Sequence, residues 1–206
     1  SFRFDLMGHQ PKEAMVALQQ LLRQDNGRDI QLIGEGWNFG EVANGARFVQ
    51  AAQGTLSGTG IATFSDRARD ALRGGGVGDG PAAVVARQGW LNGQTDNTTE
   101  GTHRTAAMAA ADLVRLGLAG TLRSYTFTSH TGDQRRGDQL VYAGQPAGYV
   151  DAPGEVVNYV ENHDNHTLWD VNAFKLPLDT PASERARVQL LALATTAFSQ
   201  GVAYFH

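Results

Sequence analysis

The sequence predicts an α/β fold built on a parallel sheet. Short apolar runs with strand character alternate with segments of helical periodicity. Several of those runs end in a carboxylate, at Asp5, Glu35 and Asp164. Carboxylates at the C-terminal ends of parallel strands are where a β/α-barrel carries its chemistry.

The elements follow in order. Phe2-Arg3-Phe4-Asp5 alternates apolar and polar like a strand that ends in a carboxylate. Pro11 suits a first helical turn, and Met15, Leu18, Leu21 and Leu22 recur at helical spacing, so 11–24 is a helix. Asp25-Asn26-Gly27 ends it. Residues 29–35 read as a buried strand, and a glycine-rich polar loop then runs to Gly60. Ile61 to Phe64 is a short strand, and Ser65-Asp66 is placed to cap a helix that runs to about Arg73. Residues 74–103 are loop-like, as an insertion or functional loop would be. An Ala-rich helix covers Thr105 to Leu116, and Leu122 to Tyr142 alternates around His130-Thr131-Gly132-Asp133 as a hairpin. A strand at Val156 to Val160 leads into Glu161-Asn162-His163-Asp164, an apolar helix covers Pro181 to Phe198, and Val202 to Phe205 is a last strand. Five core strands of this kind amount to more than half of an eight-stranded barrel. A chain that starts and stops in strands is expected to be a cut through a larger domain.

Composition narrows the function classes. Leu, Ile, Val and Phe count 46 of 206 residues, enough for a core but not a rich one. There is no cysteine, which removes disulfides, thiolate metal sites and cysteine nucleophiles. A net charge of −4 with scattered cations argues against nucleic acid as the partner. No apolar run is long enough to span a bilayer, so no membrane segment is expected. Gly74-Gly75-Gly76-Val77-Gly78-Asp79-Gly80 follows a helix and lacks the Gly-Lys-Ser/Thr ending of a phosphate loop.

The three carboxylates could converge on one mouth, and two carboxylates flanking a bond are what glycoside hydrolysis needs. Arg3, two residues before Asp5, shares its strand face and is expected to pair with it. His163 and His166 have a metal-like spacing but no evident third ligand, and a sugar-hydroxyl donor role suits His163 better. Trp37 is expected to stack on sugar, whereas Trp90 and Trp169 are expected in the core.

These motifs resemble a known family. Phe2-Arg3-Phe4-Asp5-Leu6-Met7-Gly8-His9 resembles the second conserved region of the pullulanase and limit dextrinase group of glycoside hydrolase family 13, the alpha-amylase family. Gly34-Glu35-Gly36-Trp37-Asn38 is similar to the third region, and Tyr159 through Asp170 to the fourth. Gly58 through Asp70 is similar to the sixth barrel strand of these enzymes. The resemblance runs in order through essentially the whole chain, and the Leu-Met-Gly and Asn-His-Thr-Leu-Trp-Asp extensions mark it as the debranching group.

The resemblance implies a partial (β/α)8 TIM barrel, strands four to eight, with an inserted loop, helix and hairpin region at about 74–150 between strands six and seven. Residues 1–206 would be the C-terminal part of a catalytic barrel. It implies Asp5 as nucleophile, Glu35 as general acid/base and Asp164 as transition-state stabiliser. Arg3 and His163 would bind sugar in the cleavage subsite, Trp37 would line the acceptor side, and Asn165 would touch substrate. The implied reaction is retaining hydrolysis of alpha-1,6 branch linkages in pullulan and branched dextrins, so the expected partner is an alpha-glucan. No cofactor is identifiable; calcium is common in the family, but no ligand set is evident. The first conserved region, which supplies an Asp and a His on strand three, has no match here. Two alternatives stand beside this reading: a catalytically silent barrel segment with weak sugar binding, and an alpha-1,4-acting relative of the same family.

Overall fold

The structure is a computed structural model that describes residues 1–76, 78–92 and 103–206. The loop residues Asn97-Thr98-Thr99 therefore lie outside the described residues. In chain order the elements begin with β1 (Phe2–Phe4), α1 (Lys12–Asn26), β2 (Leu32–Gly34), β3 (Ala62–Phe64) and α2 (Asp66–Arg73). Helices α3 (Pro81–Ala86) and α4 (His103–Leu118) follow, then β4 (Thr126–Thr128), β5 (Gln134–Arg136), β6 (Val141–Tyr142) and β7 (Gln145–Pro146). The chain ends with β8 (Val156–Asn158), α5 (Leu168–Lys175), α6 (Ala182–Phe198) and β9 (Val202–Ala203).

Five strands make one parallel sheet in the order β1-β2-β3-β8-β9. Its first and last strands are edges, so these strands alone close no barrel. The insertion adds two antiparallel ladders, β4 with β5 and β6 with β7. The central strands β3 and β8 are buried along their whole length, as expected where both faces of a parallel sheet are covered.

Side-chain alternation sorts these faces. Leu32 and Ile61 join Met7, Met15 and Leu56 beneath α1, while their neighbours Ile33 and Ala62 point the other way, to Phe64, Val157 and Tyr159. Each fully buried Leu or Ile stabilises the fold by about 1.5–3 kcal/mol. A third cluster packs α2, α4, α5 and α6 through Leu72, Val114, Leu168 and Ala192. Helix α1 ends where Gly27 takes φ 61° and donates its N–H to the Arg23 carbonyl at 3.0 Å. No described helix is long and apolar enough to cross a membrane.

The structure departs from the sequence reading at several points. Leu21 lies outside the core stripe of α1 and is exposed. Ser65 takes the N-cap position of α2 but makes no side-chain capping bond, because its hydroxyl is buried at the end of the packed strand β3, beside Tyr149. Trp90 and Trp169 are 36% and 46% exposed, so neither is a core residue. Both sit at helix starts on the outside of the helical layer, where the core positions are taken by Leu91 and Leu168. The region 74–103 is not all loop: it contains α3 and a 3₁₀ turn at Trp90–Asn92.

Lys175 ties α5 to the end of α3. It is 2% exposed, and its ammonium donates to the Val84 carbonyl at 2.6 Å and to that of Arg87. Burial, and then the nearby charge of Arg73, push it down from its ordinary 10.5 to about 8. The folded state therefore sheds this proton first as pH rises. The destabilisation from burying the charge is fully present below pH 8 and is relieved between about 8 and 10.5, so Lys175 makes stability rise across that window. Lys175→Met should flatten this rise, which unfolding midpoints measured from pH 7 to 10.5 would show. An unchanged slope would assign the effect elsewhere.

Candidate active site

Parallel strands bring all their C-terminal ends to one edge of the sheet. In the β1–β2 register Phe4 faces Gly34, so Asp5 and Glu35 are the next residues on neighbouring strands. Neighbouring strands lie about 4.8 Å apart. The Glu35 N–H donates to the Phe4 carbonyl at 3.1 Å, and the Gly8 N–H donates to the Glu35 carbonyl at 2.8 Å, which fastens the two strand ends together. Gly8 is required there: an added Cβ would lie 2.2 Å from the Trp37 carbonyl oxygen.

Glu35 is only 4% exposed, and both its carboxylate oxygens accept hydrogen bonds. Arg3 Nη2 donates to Oε1 at 3.0 Å, and the Leu6 N–H donates to Oε2 at 2.9 Å. Leu6 takes φ 44°, a left-handed conformation that turns its N–H toward the carboxylate. Asp5 is exposed, and no hydrogen bond or ion pair from the described residues reaches its side chain. The expected Arg3–Asp5 pair is therefore replaced by Arg3–Glu35. The strand stops at Phe4, so the alternation that would align Arg3 with Asp5 does not continue, and Arg3 reaches across the sheet instead. Its guanidinium also lies 5.6 Å from the centre of the Phe64 ring on β3.

Asp164 follows β8 at the same edge, with β3 between it and β2. It is exposed, and His163 Nε2 lies 3.1 Å from its Oδ1. Asn162 holds His163 from below: its Oδ1 accepts the His163 N–H at 2.7 Å and the Tyr204 hydroxyl at 3.4 Å. Tyr204 joins Phe64 and Tyr159 in a T-shaped aromatic cluster, which links the ends of β3, β8 and β9. Asn165 Oδ1 accepts a hydrogen bond from Arg73 Nη2 at 3.1 Å. His166 packs edge-on against Phe174.

Two clefts flank this edge. One of about 640 Å³ is bounded by Arg73, the glycine-rich turn, Asp164, Asn165 and Lys175. The other, about 430 Å³, opens at Trp37 and includes Gln53, Asp66, Arg67 and Tyr142. The sequence motifs point to Trp37, Asp164 and Asn165 but not to Arg67, Arg73, Tyr142 and Tyr204. Each of these four has a partner 42 to 92 residues away in sequence, so no local pattern brings it to this edge. Among the described residues no group of three or more His, Asp or Glu side chains could hold a metal ion.

The class defined here is an α/β protein with paired carboxylates at the C-terminal edge of a parallel sheet. No family model matches the chain. It is 39% identical over 219 residues to the chloroplastic pullulanase 1 of Arabidopsis thaliana, which covers 100% of this chain and 22% of that protein. It is 42% identical over 205 residues to a pullulanase of Klebsiella aerogenes, covering 98% of this chain and 18% of that one. Among solved structures, a maltotriose-bound Klebsiella pneumoniae pullulanase superposes with a TM-score of 0.91 at 41% identity, over 98% of this chain and 19% of that one. Apo pullulanase from Paenibacillus barengoltzii gives 0.70 at 29% identity, over 100% of this chain and 25% of that one. The chain is thus homologous to pullulanases over its whole length, and it spans about a fifth of the length of the curated relatives it matches.

Proposed function

We propose that the chain is part of the catalytic barrel of a debranching glycoside hydrolase, supplying strands four to eight, with residues 74–150 inserted between strands six and seven. The substrate is an alpha-glucan with alpha-1,6 linkages, such as pullulan or a branched dextrin. One observation carries the reading: Asp5 and Glu35 stand side by side at the ends of adjacent parallel strands. A retaining mechanism requires carboxyl groups roughly 5–5.5 Å apart, and residues that end neighbouring strands can meet that requirement.

In the first step Asp5 attacks the anomeric carbon while Glu35 protonates the glycosidic oxygen. The glycosidic bond breaks, the sugar becomes an ester of Asp5, and the acceptor chain leaves as an alcohol. Water then attacks the same carbon, Glu35 takes its proton, and Asp5 is released as a carboxylate. Asp164 stabilises the positive charge that spreads over the ring. Arg3 and His163 hold the sugar in the cleavage subsite, Asn165 contacts it further out, and Trp37 stacks on the acceptor side. Glu35 thus serves as acid in the first step and as base in the second.

The test is incubation of the complete enzyme that carries this segment with pullulan. Maltotriose as the main product is the expected result. Cleavage of linear alpha-1,4 glucans without release of maltotriose from pullulan would move the reading to the alpha-1,4-acting branch of the family.

A further inference from the structure

The inserted hairpin reaches the edge of the sheet that carries the carboxylates. Strands β6 and β7 are joined by Ala143-Gly144, with φ of 47° and 77°, a tight two-residue connection that leaves the hairpin little freedom. Tyr142 immediately precedes this turn and lines the 430 Å³ groove that opens at Trp37. Its ring is held from two sides. The hydroxyl donates to Asp70 Oδ2 at 2.6 Å, and the guanidinium of Arg67 lies 5.3 Å from the ring centre. Arg67 is itself fixed: it is 3% exposed, lies 4.5 Å from the centre of the Tyr149 ring, and pairs with Asp66 at 2.7 Å. Burial, reinforced by Asp66 and Asp70, holds the Tyr142 phenol well above its usual range, so it remains a neutral donor.

We propose that Tyr142 is a specificity-determining residue, a preorganised aromatic platform that the insertion contributes to binding the glucan chain on the leaving-group side of the scissile bond. The proposal rests on the hydrolase reading above. Its placement follows from connectivity: Trp37 comes two residues after Glu35, which protonates the leaving oxygen, so a groove that begins at Trp37 receives the departing chain. Aromatic faces pack on the apolar C–H faces of sugars, and the exposed Asn38, Asn44 and Gln145 along the groove supply donors and acceptors for hydroxyls. A ring already locked by Asp70 and Arg67 loses little freedom when a sugar lands on it.

The complete enzyme tests this with two substrates, pullulan and an aryl maltotrioside whose leaving group is no sugar. Tyr142→Ala and Tyr142→Leu should each raise KM for pullulan by about 3- to 10-fold, the scale of one aromatic contact. Both should leave kcat/KM on the aryl substrate near wild type. Tyr142→Phe, which keeps the ring but frees it from Asp70, should raise KM for pullulan less than the Leu variant does and leave the aryl substrate near wild type. Equal losses on the two substrates, or a Phe variant as impaired as the Leu variant, would reduce Tyr142 to a structural role and overturn the proposal. If one truncation fails to fold, the Phe and remaining variants still decide between ring and hydroxyl. Wild-type enzyme inactive on pullulan would sink the underlying hydrolase reading, whereas a KM rise in Trp37→Ala without one in the Tyr142 variants would sink this inference alone.

Discussion

Asp5→Asn in the complete enzyme is expected to lower kcat on pullulan by on the order of 10⁴-fold or more, the scale on which removing an attacking group acts. Asparagine matches aspartate in shape but offers a neutral amide in place of the carboxylate, so no glycosyl ester forms. This site separates chemistry from folding unusually well. The Asp5 side chain is exposed, and no hydrogen bond or ion pair from the described residues reaches it, so the change removes no fold contact. Stability should therefore stay within about 0.5 kcal/mol of wild type, as for surface substitutions elsewhere. KM should move little, because the side chains proposed to grip the sugar, Arg3 and His163, are untouched. Rates on pullulan and an unfolding curve measured on the same preparation check both halves. Near-normal turnover would remove Asp5 from the mechanism, and a collapsed unfolding midpoint would mean that Asp5 holds the fold instead.

The contrast between Asp5 and Arg3 shows what a sequence can carry. That Asp5 and Glu35 end strands is a local property, written in the alternation of Phe2-Arg3-Phe4 and in the apolar run before Glu35. That their strands are neighbours follows from the parallel order of alternating strands and helices. The partner of Arg3 is not local. It depends on where β1 stops and on a contact across 32 residues, so strand alternation pointed to Asp5 and the register gave Glu35. The same applies to Arg67, Asp70 and Tyr142, which meet only when the insertion folds back on α2. One miss was avoidable. Thr167 accepts a hydrogen bond from the Asp170 N–H at 3.3 Å, and a Thr with Asp three residues on is a helix-start signal that announces α5. The exposed Trp169 follows from it: on that helix Leu168 and Val171 face the core and Trp169 falls between them.

Glu35→Gln should lower kcat on pullulan by about 10²- to 10⁴-fold, the usual worth of a positioned acid/base. The loss should depend on the leaving group. A sugar alkoxide needs the proton from Glu35, but an acidic phenol does not, so formation of the glycosyl ester from an aryl maltotrioside should survive. Its hydrolysis still needs a base, so the ester should accumulate after a burst of phenol. Azide attacks without proton removal and should restore turnover, giving a glycosyl azide. A second consequence comes from the hydrogen bonds. Glutamine can still accept the Leu6 N–H, but its amide NH₂ then confronts Arg3 Nη2, donor against donor, where Oε1 now accepts at 3.0 Å. Arg3 should lose its anchor, so binding should weaken: KM on pullulan should rise, whereas on the aryl substrate the accumulating ester pulls the apparent KM down. Arg3→Lys, which keeps the charge on Glu35 but loses the planar fork, separates the contributions. If it reproduces the KM rise without the burst, positioning by Arg3 and proton transfer by Glu35 are distinct functions of one ion pair. A Glu35→Gln enzyme that loses the same factor on pullulan and on the aryl substrate, with no azide rescue, would exclude Glu35 as the acid/base and leave it as the residue that positions Arg3.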